Sequence, residues 1–359
     1  MTRRIAKLLS AASLALSVAS ASAQPPLRER PEPVTSHWEG IAWQTDNAGS
    51  PMSLDGLTQA WGDEFDTLDV GCFDYTRKVG QHNWYAIAHD SGQDLAHGVC
   101  PSAAPSPYSI SNGVLGITLS HPRGEWQTGA LLGVDPMSEG RSFCYPLIVG
   151  RIKLPSAVPP HTDVWPSLWA EARYFRPGTD YEYPEIDILE SWSDAGPAGS
   201  NQITLHEWPA KTRGSGLLPE HRYKTLKVAG GAPRDDQFHT YAIDTTSRRW
   251  WIYYFDGREV ARLPMRGMEM RRPLSLRLSL SLGHKSAPDP AASYTMYVDY
   301  VRVYQARNTA PAALGALVSG DRDGRAADWF SRHRDHPERA FGRRDRNRGS
   351  RQGSTDCDG

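Results

Sequence analysis

Between residues 52 and 305 the chain is made of short runs in which apolar and polar side chains alternate, broken by Gly, Pro, Asn and Asp. Alternation with a period of two puts successive side chains on opposite faces, so each run predicts a strand with one buried face. Residues 114–119, 150–154, 250–255 and 294–304 are such runs, and 274–282 alternates Leu with Ser or Arg almost without a break. Asp256-Gly257, lying between 250–255 and 259–263, predicts a hairpin, because a two-residue turn of this kind takes positive φ at both central positions. No long stretch carries the 3.6-residue period of an amphipathic helix, and no internal repeat points to a propeller. About 250 residues of this pattern predict one all-β domain, a sandwich or a barrel.

The ends follow other rules. Arg3, Arg4 and Lys7, then the apolar stretch 8–18, then Ala21-Ser22-Ala23 have the order of a secretion signal, which predicts a signal peptide over 1–23. The apolar stretch is too short for the roughly 20 residues a bilayer span needs. Residues 24–50, rich in Pro and polar groups, read as a lead-in, 51–306 as the folded domain and 307–359 as a disordered tail. Residues 321–359 hold ten arginines, eight acids and no lysine, too few apolar groups to offset the entropy of ordering.

Composition narrows the function. Forty basic side chains stand against forty-one acidic ones, so no basic excess marks a nucleic-acid binder, and a mean hydropathy of −0.54 excludes a polytopic membrane protein. Tyr (15) and Trp (12) outnumber Phe (8); rings with a polar edge are what sugar-stacking surfaces use, although they are also ordinary in β proteins. No C-x-x-C pair exists among Cys72, Cys100, Cys144 and Cys357, which removes zinc-ribbon and thioredoxin-type sites. In an exported chain one disulfide among the first three is expected, with Cys357 unpaired in the tail.

The run Tyr183-Pro184-Glu185-Ile186-Asp187-Ile188-Leu189-Glu190-Ser191-Trp192 carries the chemistry. On a strand Glu185 and Asp187 share one face while Ile186 and Ile188 share the other. Glu190, at an odd offset from Glu185, would face the core, where an unpaired carboxylate is costly. One bulge at Ile188-Leu189 returns it to the carboxylate face. Two side chains leaning together from that spacing could reach roughly the 5 Å of a nucleophile and acid/base in retaining glycoside hydrolysis, whereas a wider gap, with room for a water, would mean inversion. Asp187, between them, can hydrogen-bond Glu185 and hold its charge state. An acidic solvated face, or a calcium-binding lectin strand, would show the same residues.

These residues resemble the active-site strand of glycoside hydrolase family 16, in the E-x-D-x-x-E form of its laminarinase-like members. Further segments fall in the family's order: 61–68 (WGDEFDTL), 108–118, 127–131 (QTGAL), 150–155 (GRIKLP), 165–169 (WPSLW), 204–206 (TLH), 238–244 (FHTYAID) and 297–305 (YVDYVRVYQ). The chain departs from the pattern at Val149, where the family commonly has Glu, and in the Pro-rich stretch 155–162. The segments 193–201 and 207–219 match nothing in the family's pattern, which leaves substrate identity open.

The resemblance implies a β-jelly-roll sandwich of concanavalin type, with a concave carbohydrate cleft, and an exported, endo-acting, retaining hydrolase of β-linked polysaccharide. Glu185 would be the nucleophile, Glu190 the general acid/base and Asp187 the assisting carboxylate. Trp165 and Trp169 would flank the sugar, and His206 would reach the catalytic strand from the next one; packing roles for these three remain open. Trp192 fits a stacking platform and a core position equally. No cofactor is required; Glu64 and Asp299 occupy motifs where some members hold a structural calcium. The expected partner is a polysaccharide, not nucleic acid or membrane, and the protein is expected to be a secreted or periplasmic monomer. A transglycosylase on the same scaffold, or a non-catalytic jelly-roll binder, are the alternatives.

Overall fold

In the computed structural model two eight-stranded sheets lie across one apolar core. The structure describes residues 41–73, 81–87, 97–134, 140–156, 158, 162–172, 183–192, 199–208, 222–265, 273–283, 288–307 and 357. The chain divides into two units: Met1–Thr35, outside the described residues, and Ser36–Gly359, which holds both sheets. The expected signal peptide, most of the lead-in and most of the tail also lie outside them, as do 193–198 and 209–221.

In chain order the first strands are β1 (Leu57–Asp63), β2 (Val70–Phe73), β3 (Trp84–Ile87), β4 (His97–Gly98), β5 (Tyr108–Ser111), β6 (Val114–Leu119), β7 (Gln127–Thr128), β8 (Ala130–Leu132) and β9 (Leu147–Lys153). They are followed by β10 (Val164–Glu171), β11 (Tyr183–Glu190), β12 (Asn201–Trp208), β13 (Arg222–Val228), β14 (His239–Asp244), β15 (Trp250–Phe255), β16 (Arg258–Pro264), β17 (Ser275–Leu282) and β18 (Tyr294–Ala306). One sheet runs β16-β15-β14-β9-β18-β6-β5, with β1 also on β18; the other runs β13-β12-β11-β10-β17-β8-β3-β2. Nearly all pairings are antiparallel, as expected of sheets with one wet face. This is the all-β jelly-roll sandwich that the family resemblance implies, and it decides between the sandwich and the barrel that the alternation allows.

The alternation explains the layering. Leu276, Leu278, Leu280 and Leu282 of β17 point inward and are at most 1% exposed, while Arg277, Ser279 and Ser281 take the other face. Each such leucine contributes about 1.5–3 kcal/mol by leaving water. The sheets approach closely at Gly150 of β9, where a side chain would place its Cβ 2.6 Å from Cδ2 of Leu168 on β10. The hairpin between β15 and β16 turns at Asp256 (φ 46°) and Gly257 (φ 67°), as the Asp-Gly pair predicts. Residues 41–50, placed by sequence in the lead-in, run along β16, with hydrogen bonds from Gln44 to Arg262 and from Glu259 to Ser50.

The cysteines correct one expectation. Cys72 pairs with Cys100, the disulfide expected among the first three, but Cys357 is not free: it pairs with Cys144 across 213 residues. Cys144 is buried in the core, and the solvated composition around Cys357 carries no trace of that distant partner. The two carboxylates considered for calcium both face arginines. Glu64 accepts two hydrogen bonds from Arg302, which hold its pKa below the ordinary value, and Asp299 pairs with Arg151.

Candidate active site

Strand β11 lies between β10 and β12, and its register shows how the three carboxylates reach one face. Leu168 opposes Leu189 and Trp169 opposes Asp187, so Ile188 is the extra residue of a bulge. Ile186, Ile188 and Leu189 are all fully buried, and Glu190 leaves the core for the face that carries Glu185 and Asp187. The bulge follows from the sequence: two adjacent apolar residues, Ile188 and Leu189, can both be buried only where strict alternation breaks.

A bulge strands backbone groups, and here a side chain collects them. Asn201, at the start of β12 and 0% exposed, accepts a hydrogen bond from the Glu190 N–H at 2.8 Å through Oδ1. Its Nδ2 donates to the Ile188 carbonyl at 3.1 Å and to the Tyr253 hydroxyl on the opposite sheet at 2.5 Å. Each such group, buried without a partner, would cost about 1–3 kcal/mol.

Glu190 is buried beside two other carboxylates. Burial raises its pKa well above the ordinary carboxylate value, the charges of Asp187 and Glu185 raise it further, and so does a hydrogen bond with Asp187. The Trp165 indole N–H, donating to Oε1 at 3.1 Å, works in the opposite direction. Asp187 also meets His206, whose Nε2 lies 2.8 Å from Oδ2. Burial alone would lower the His206 pKa; the hydrogen bond and charge of Asp187 outweigh it and the net shift is upward. Glu185 stands opposite His206 in the β11–β12 register, with Oε1 3.9 Å from Nε2.

The aromatic residues sit around this centre. Trp165 and Trp169 of β10 are half-buried on the same outer face as the carboxylates. Trp192 packs on Trp165, with ring centroids 4.8 Å apart, so it belongs to that surface and not to the interior. Trp169 donates to Ser279 Oγ at 3.2 Å, and the Arg277 guanidinium lies 4.6 Å from its ring centroid. Arg277 also pairs with Glu171, the residue opposite Glu185 on β10. Tyr223, 61% exposed on the edge strand β13, stands beside His206.

Each residue assigned by sequence therefore lies on one face of three adjacent strands or at the mouth just beyond them. Asn201, Arg277 with Glu171, and Arg234 escaped the sequence reading. Arg234 donates to the carbonyls of Pro155, Val164 and Ser191, tying the approach to β10 to the exit of β11; burial lowers its pKa to about 10. The available signal for Asn201 was its place: a polar residue in phase with the core-facing Ile203 and Leu205. Ligand atoms of Glu185, Asp187 and His206 lie within 4.8 Å of one another. Two of them, Asp187 and His206, share a 2.8 Å hydrogen bond.

A jelly-roll sandwich that carries three carboxylates on one sheet, with three tryptophans on or beside it, is the arrangement the motif resemblance implies. The chain is similar to two endo-1,3-1,4-β-glycanases of Rhizobium meliloti, ExsH and EglC, with 25% identity over 279 and 265 residues. The matches cover 70% and 69% of this chain but 53% and 52% of those proteins, so the chain spans about half the length of these relatives. Among solved structures it resembles SCLam, a non-specific endo-β-1,3(4)-glucanase from family GH16, with a TM-score of 0.52 and 22% identity over 76% of this chain and 100% of that one. No family model matches the chain.

Proposed function

We propose that this chain is an exported, endo-acting, retaining hydrolase of β-linked polysaccharide, with a β-1,3/1,4-glucan or a related glycan as substrate. The observation that carries the reading is Glu190: a carboxyl raised well above its ordinary pKa, across a bulge from Glu185, on a face lined by tryptophans. A carboxyl whose pKa is raised suits a general acid, and a second carboxyl beside it suits a nucleophile. The names of the two Rhizobium relatives support the substrate class. Two disulfides fit an oxidising compartment outside the cytoplasm. Among the described residues no helix is long and apolar enough to cross a membrane.

In the first half-reaction Glu185 attacks the anomeric carbon while Glu190 gives its proton to the departing glycosidic oxygen. The C–O bond breaks and an ester to Glu185 forms. Esterification removes the Glu185 charge, one of the causes that raise the Glu190 pKa, so Glu190 becomes easier to keep ionised. As base it then takes a proton from water, which attacks the anomeric carbon and restores the Glu185 carboxylate. Asp187, hydrogen-bonded to His206, lies beside this exchange. Reducing-sugar release from a panel of purified β-glucans and galactans tests the reading. Release from at least one, lost in Glu185→Ala and in Glu190→Ala, supports it; no release from any panel member opposes it.

A further inference from the structure

We infer that Asn201 is a positioning residue for the general acid, a clamp that fixes the β11 bulge and thereby the aim of Glu190. The inference rests on the catalytic reading of Glu190 above. Asn201 does not reach the cleft: it is fully buried and in phase with Ile203 and Leu205, which point into the core. Its amide nonetheless meets both orphaned backbone groups of the bulge, the Ile188 carbonyl and the Glu190 N–H. Nδ2 also donates to the hydroxyl of Tyr253, a fully buried residue of β15. The bulge is thus tied to the opposite sheet as well as to its neighbour.

The geometry gives this clamp a specific task. A strand can shed a bulge by slipping one residue, and a slip of one turns every side chain beyond it to the other face. Glu185 and Asp187 precede the bulge and keep their pairing with His206 and Thr204 on β12. Glu190 follows it and would turn toward the core. Loss of the clamp therefore falls on the acid and spares the nucleophile. No other residue type of similar size offers the same pattern: Oδ1 accepts and Nδ2 donates in one planar group, matching an N–H and a C=O two residues apart. A buried asparagine placed only for packing would leave four hydrogen-bonding positions to satisfy at a cost, where leucine would fill the space without one.

The test separates an acid defect from general damage by leaving-group chemistry. Wild type, Asn201→Leu, Asn201→Ala and Tyr253→Phe are assayed on two matched β-glucan oligosaccharide glycosides, one releasing dinitrophenolate and one releasing phenolate. Dinitrophenolate leaves without a proton; phenolate needs one from Glu190. The Asn201 variants are expected to lose about tenfold or more in kcat/KM on the phenyl glycoside, within the 10²–10⁴-fold that a positioned acid supplies, and much less on the dinitrophenyl glycoside. Tyr253→Phe, which keeps Asn201 and removes only its tie to the other sheet, should show the same bias at smaller size and reports even if both Asn201 variants fail to fold. Equal losses on the two substrates, or none, would overturn the clamp. Glu190→Ala is the control: if it too loses both activities equally, Glu190 is not the acid, and the catalytic reading fails and not the clamp alone.

Discussion

The indole N–H of Trp165 donates to Oε1 of Glu190 at 3.1 Å, joining a residue of the aromatic surface to the carboxyl assigned as the acid. A donor of this kind favours the ionised carboxylate, so it opposes the burial and the neighbouring charges that raise the Glu190 pKa. Trp165→Phe keeps a ring against Trp192 and deletes the donor. The Glu190 pKa should rise, and the alkaline limb of kcat/KM should move to higher pH. A pH–rate profile of the variant checks this; an unmoved limb contradicts the assignment of that limb to Glu190.

Glu190 also makes a stability prediction with a definite sign. Below the ordinary carboxylate pKa of about 4.3 it is protonated in folded and unfolded chains alike, and contributes no pH dependence. Above that value the unfolded chain ionises while the folded chain retains the proton, because the folded pKa is raised. Wild-type stability contributed by this group therefore falls as pH rises from the ordinary value through the folded one. Glu190→Gln removes the effect. Its Tm relative to wild type should be higher at about pH 7 than at about pH 4, measured by calorimetry at both; a difference independent of pH would refute the shift.

The pair of Arg277 and Glu171 stands on the outer face of β17 and β10, with a Glu171 side chain only 3% exposed. Arg277→Ala leaves that carboxylate buried without its cation and should cost about 3–5 kcal/mol in denaturant unfolding. The double change Glu171→Leu with Arg277→Leu should recover most of the loss, since an apolar pair of similar volume often replaces a buried ion pair at little cost. A double variant no better than Arg277→Ala would show that the guanidinium acts chiefly through its contact with the Trp169 ring.

Disulfide connectivity is directly measurable. Peptides of the unreduced protein should be recovered joined as Cys72–Cys100 and Cys144–Cys357 in mass spectrometry, and separate after reduction. Recovery of Cys357 as an alkylated free thiol from unreduced protein would contradict the second bridge.

The parts of this structure legible in sequence are those fixed by local alternation. The leucines of β17, the Asp-Gly hairpin and the bulge after Asp187 all follow from which neighbours are apolar. The bulge was readable because Ile188 and Leu189 are adjacent and Glu190 must escape the core. Asn201 was not readable, because a polar residue in a core-facing position shows that it needs partners without naming them; Ile188 and Tyr253 come from another strand and another sheet. Asp187 makes the same point. Sequence gives it Glu185 as neighbour, whereas the hydrogen bonds described for it run to Glu190 and His206, one brought near by the bulge and the other by cross-strand register. The Cys144–Cys357 pair is the extreme case, a contact across 213 residues with no local signature at all.

The assignment of Glu185 as nucleophile and Glu190 as acid/base meets its most direct test in the anomeric configuration of the first-formed product. Proton NMR of wild-type enzyme on a β-glucan oligosaccharide, recorded before mutarotation mixes the anomers, should show the new reducing end as β. Two displacements at the anomeric carbon, first by Glu185 and then by water, restore the original configuration. An α-anomer as the first product would mean a single displacement by water, and Glu185 could not be the nucleophile.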